Sequence, residues 1–78
     1  LLFEKPSLRT RVSFEAAIAH CGGNSIFLSG REVGIGEREP VEDFARVISQ
    51  YVDVIAARTF AHDLVLDLAR FASVPVIN

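Results

Sequence analysis

Seventy-eight residues, half of them hydrophobic, carry a formal net charge of −2, with ten acidic side chains against eight basic ones. This fits a packed domain and not a disordered chain, although a chain so short buries its own core only marginally. The acidic balance argues against a nucleic-acid binder, no apolar stretch approaches the roughly 20 residues of a membrane span, and the single Cys21 cannot close an internal disulfide. A reducing, cytoplasmic setting is the expectation.

Leu1 to Phe3 is a short apolar run, read as a strand. From Arg9 to Cys21 the set Phe14, Ala17, Ile18 and Cys21 recurs at helical spacing, which predicts an amphipathic helix with Cys21 on its buried stripe. Gly22 and Gly23 end it. Ser25 to Leu28 reads as a second strand, and Ser29 to Glu39, with Gly30, Gly34 and Gly36 among its charges, as a loop. Pro40 suits the first position of the next helix, whose buried stripe is Val41, Phe44, Ala45, Ile48 and Val52. Val54 to Ala57 forms a third strand, running into Arg58 and Thr59. Asp63 to Ala72 returns to helical spacing through Val65, Leu68, Ala69 and Ala72, and Val74 to Ile77 makes the last strand.

The order β-α-β-α-β-α-β specifies an α/β fold: a parallel sheet with right-handed crossovers and helices on both faces. Strands of such a sheet are covered on both sides, yet both ends of this chain are strand-like and it opens without a Met. The chain is therefore expected to be a piece of a longer polypeptide.

Ligands of open α/β sheets bind beyond the carboxyl ends of the strands. Two polar segments fall there, Lys5 to Thr10 and Arg58-Thr59. The first joins a strand to a helix N-terminus, where free N–H groups and the helix dipole favour an anion. Ser7 and Thr10 add hydroxyls, and Arg9 a guanidinium that can bind two phosphate oxygens together. The plainer alternative is a helix cap flanked by solvated cations. Neither a Walker loop nor a Gly-x-Gly-x-x-Gly turn is present.

The run Phe3-Glu4-Lys5-Pro6-Ser7-Leu8-Arg9-Thr10-Arg11-Val12-Ser13-Phe14-Glu15 closely resembles the phosphate-loop signature of the aspartate/ornithine carbamoyltransferase family. The resemblance continues through Gly22-Gly23, Glu39 to Asp43, Ala45 to Val47, Arg58-Thr59-Phe60 and Ala72 to Asn78, and looks more like the ornithine enzymes than the aspartate ones. It implies that residues 1–78 are part of the carbamoyl-phosphate-binding domain, with the amine-binding domain outside this chain. By the same resemblance Ser7, Leu8 (through its backbone), Arg9 and Thr10 bind the phosphate of carbamoyl phosphate. Arg58 approaches the carbamoyl oxygen, and Arg9, Thr10 and Arg58 are the catalytic set.

The implied reaction is carbamoyl transfer to the δ-amine of L-ornithine, giving L-citrulline and phosphate in arginine biosynthesis. It requires no cofactor and no metal. A homotrimer with shared active sites is implied, and the fragment alone is expected to show little or no activity because it lacks the amine site. The alternatives are transfer to aspartate or another amine, or a non-catalytic phosphate-binding module.

The loop from Ser29 to Glu39 corresponds in the family to a segment reaching a neighbouring subunit's site. Gly34 aligns with the glutamine usual there, which leaves backbone or Arg38 to make such a contact. Phe44 stands where the family commonly has Thr, so its helix is expected to pack differently. Arg11 is expected to pair with Glu15 four residues on. Lys5 and Glu4 either orient Arg9 or pair with each other. His20 and His62 read as surface residues, without metal-ligand spacing.

Overall fold

The computed structural model describes residues 1–30, 34 and 40–78. Four strands, β1 (Leu2–Phe3), β2 (Leu28–Ser29), β3 (Ile55–Arg58) and β4 (Val76–Ile77), alternate with helices α1 (Leu8–His20), α2 (Val41–Ile48) and α3 (His62–Phe71). All strand pairs are parallel and the sheet order is β2-β1-β3-β4. The chain steps one way from β1 to β2, then returns past β1 to β3 and β4. Right-handed crossovers therefore set α1 on one face and α2 and α3 on the other.

Register makes the faces explicit. Leu2 is level with Leu28 and with Ala57, and Ile55 with Val76. These side chains share one face, where Leu2 and Ala57 join Phe44, Ala45, Val65 and Leu68 in a single core, flanked by Leu28, Ile48 and Val76. Leu68 and Ala45 are fully buried, and Phe44 is seated in this core at 7% exposure. Burying a side chain of the size of Leu or Phe stabilises by roughly 1.5–3 kcal/mol, so this face carries most of the fold's cohesion.

The opposite face is thinner. Phe14 and Ile18 of α1 lie across an open groove of about 380 Å³ from Ala56 and Ile77. No residue of α1 is buried, and Cys21 is exposed, so its expected core position is corrected. The stripe of α1 exists in sequence, but nothing among the described residues seals it against the sheet. Ala69 is likewise exposed: Val65 and Leu68 are the buried residues of α3, and Leu64 and Phe71 pack against the core beside them.

The helix ends follow local rules. Gly22 takes φ 86°, which only glycine adopts freely, and Gly22 and Gly23 donate to the carbonyls of Ala19 and Ile18. Pro40 is the N-cap of α2, so the helix starts at Val41, one residue later than expected. The second strand is shifted to Leu28–Ser29. No described helix is long and apolar enough to cross a membrane.

Candidate anion site at the strand switch point

β1 and β3 are neighbours in the sheet, yet the chain leaves them for opposite faces. The crevice this opens beyond their carboxyl ends is where α/β sheets bind ligands. Phe3 and Arg58, the last residues of the two strands, are level. The segment Glu4 to Thr10 and the turn Arg58 to Ala61 thus leave the sheet side by side. The two polar segments that the sequence puts beyond strand ends are thus brought together by the strand order.

Ser7 is the N-cap of α1, but its hydroxyl does not cap a backbone N–H. It donates instead to Thr10 Oγ1 at 2.8 Å, which aligns the two hydroxyls on the first turn. That turn holds no acidic residue, whereas α2 begins with Glu42 and Asp43 and α3 with Asp63. The positive ends of α2 and α3 are therefore balanced by their own carboxylates, and that of α1 is reinforced by Arg9. Such an end attracts an anion from outside. Leu8 is 76% exposed and Arg9 is exposed, so the first turn opens to solvent.

Arg11 turns away. Its Nε donates to Glu15 Oε2 at 3.2 Å, and its guanidinium lies 3.7 Å from the centre of the Phe27 ring, itself edge-on to Phe3. The expected Arg11–Glu15 pair is present, and Arg11 anchors α1 to β2's approach. Arg58 is exposed at the end of β3, with its backbone carbonyl accepting the Glu4 N–H at 2.8 Å.

Glu4 and Lys5 do neither of the two things expected of them. Glu4 Oε1 accepts the Phe60 N–H at 3.0 Å, and Lys5 Nζ sits 5.6 Å from the centre of the Phe60 ring. Both residues bind the turn after β3 instead of pairing with each other. Sequence reasoning missed Phe60 as their partner, since nothing local links positions 56 residues apart.

Gly34 is buried at φ 66°, its N–H donating to Gly30 O at 2.9 Å. Arg38, and with it most of the expected Ser29–Glu39 loop, lies outside the described residues.

Comparison with known proteins identifies the family. The model of the aspartate/ornithine carbamoyltransferase carbamoyl-P binding domain matches residues 1–78. The chain belongs to the aspartate/ornithine carbamoyltransferase family. Within that family it is 56% identical to an ornithine carbamoyltransferase of Thermus thermophilus, over all of this chain and 26% of the relative. The ornithine carbamoyltransferase of Pyrococcus furiosus superposes with a TM-score of 0.94 at 52% identity, covering 99% of this chain and 25% of that one. The catalytic subunit of M. jannaschii aspartate transcarbamoylase superposes with a TM-score of 0.85 at 35% identity, over 99% of this chain and 26% of that one. The chain spans about a quarter of the length of these carbamoyltransferases.

Proposed function

We propose that the complete protein, in which residues 1–78 form part of the carbamoyl-phosphate-binding domain, transfers the carbamoyl group of carbamoyl phosphate to the δ-amine of L-ornithine. The products are L-citrulline and phosphate, within arginine biosynthesis, and the amine-binding domain belongs to sequence outside this chain. The observation that carries the reading is the level pairing of Phe3 with Arg58, which sets the cationic first turn of α1 beside the end of β3.

In this reading the hydroxyls of Ser7 and Thr10, the first-turn N–H groups at Leu8 and beyond, and the Arg9 guanidinium hold the phosphate. Arg58 and Thr10 face the carbamoyl oxygen. The amine lone pair forms the new C–N bond and negative charge builds on that oxygen. The C–O bond to phosphate then breaks, and the nitrogen releases a proton. Donors preorganised at both oxygens stabilise the transition state more than the ground state.

Ornithine as acceptor is supported by 56% and 52% identity to two ornithine carbamoyltransferases, against 35% to the aspartate transcarbamoylase subunit. A cytoplasmic homotrimer, with Gly34 and Arg38 near a neighbouring subunit's site, accompanies this reading.

Arg9→Ala in the full-length protein tests it. Charge-assisted hydrogen bonds contribute about 1.5–3 kcal/mol each, so losing two weakens carbamoyl phosphate binding by about 100-fold or more. Calorimetry should read that loss while far-UV circular dichroism stays unchanged. Near-normal affinity would remove Arg9 from the site, and carbamoylation of aspartate in place of ornithine would reassign the acceptor.

A further inference from the structure

The two loops of the site come from strands more than 50 residues apart, and backbone pairing ends at Arg58. Beyond that point the described residues offer one direct hydrogen bond between the loops, from the Phe60 N–H to Glu4 Oε1 at 3.0 Å. Lys5 Nζ, over the Phe60 ring at 5.6 Å, reaches across the same gap. Glu4 is fixed at its base by its own N–H, donated to Arg58 O at 2.8 Å. Its side chain runs over Gly30, where an added Cβ would stand 2.5 Å from Glu4 Cγ. A backbone bond below, a glycine floor and a carboxylate bond above leave Glu4 little freedom.

We propose that Glu4 is a positioning residue that clasps the Arg58–Phe60 turn to the turn before α1, and that Gly30 is glycine to admit its side chain. The proposal rests on the carbamoyl-transfer reading for its consequence, though not for its geometry. Thr59 lies between the two bonds that Glu4 makes, the one at Arg58 O and the one at the Phe60 N–H, and Arg58 adjoins the first of them. Releasing the second leaves the turn held only at Arg58 O, so Arg58 loses the support of the turn that follows it and its guanidinium is held less firmly against the oxygen on which charge develops. Displacements of that kind act on the transition state more than on substrate binding.

The test uses the full-length protein with Glu4→Ala and Glu4→Gln. Glutamine keeps a side-chain oxygen that accepts the Phe60 N–H and loses only the charge. Glu4→Ala should lower kcat by about 10- to 100-fold with KM for carbamoyl phosphate changed far less, and Glu4→Gln should recover most of the loss. Amide hydrogen exchange at Phe60 gives a readout independent of activity: faster in Glu4→Ala, close to wild type in Glu4→Gln. Equal defects in both variants, or unchanged exchange at Phe60 in Glu4→Ala, would overturn the clasp. If Glu4→Ala does not fold, Glu4→Gln still decides, since loss of Phe60 protection or of kcat there contradicts a role as acceptor. A wild-type protein without carbamoyl transfer, yet with Phe60 protection governed by Glu4 as stated, would overturn the functional reading and leave the clasp standing.

Discussion

Ser49, at the end of α2, is the buried polar residue among the described residues, 9% exposed. Its hydroxyl donates to Ala45 O at 2.6 Å and accepts the Ser73 N–H at 3.1 Å, tying the end of α2 to the segment after α3. Both bonds close, which is what a buried hydroxyl requires. Ser49→Ala would remove both and strand the Ser73 N–H. A cost of about 1–3 kcal/mol is expected, read as a lower midpoint in denaturant with an unchanged slope. At this scale the sequence was informative where partners are local. The Arg11–Glu15 pair follows from i, i+4 spacing, whereas Ser49–Ser73 and Glu4–Phe60 depend on elements meeting from far along the chain.

Among the elements, α1 and α2 show what periodicity can and cannot say. The stripe of α2 meets the sheet, so Phe44 and Ala45 are buried as expected. The stripe of α1 has the same spacing but faces a groove, and Phe14 and Ile18 stay partly exposed. Amphipathic spacing identifies a face that can be buried, and the neighbours determine whether it is. The termination of α1 is more local. Gly22 at φ 86° has nothing within 4 Å of an added Cβ, so Gly22→Ala meets backbone strain alone. A loss of about 1 kcal/mol is expected in thermal unfolding of the full-length protein, and a neutral effect would show that the turn relaxes without a left-handed residue.

For the whole molecule, the strand order bears on both the proposed function and the reach of these residues. The reversal between β1 and β3 creates the crevice, and under the carbamoyl-transfer proposal residues 1–78 supply one wall of a site that must also hold an amine. Chain 1–78 on its own should show no citrulline formation above background when given carbamoyl phosphate and ornithine. Its half-open α1 face, with Val12 and Ile26 each more than half exposed and Ile77 half exposed, should also bind a hydrophobic dye more strongly than the full-length protein does. Turnover by the fragment would place the amine site within these residues. Light scattering of the full-length protein should give three protomer masses, and a monomer would remove the shared-site role from Gly34 and Arg38.

By itself the sequence determined the β-α-β alternation, the helix stops at Gly22-Gly23, and the cationic turn from Ser7 to Thr10 with its resemblance to carbamoyltransferases. These are written in spacing, turn chemistry and contiguous motif, all of which act over a few residues. Only the tertiary structure decided that β3 lies beside β1, that Arg11 turns to Glu15 and Phe27 while Arg9 faces solvent, and that Glu4 reaches Phe60. Those outcomes depend on which surfaces meet once the sheet has closed. The chain encodes such meetings through the packing of all its elements together, and no short stretch of it carries them alone.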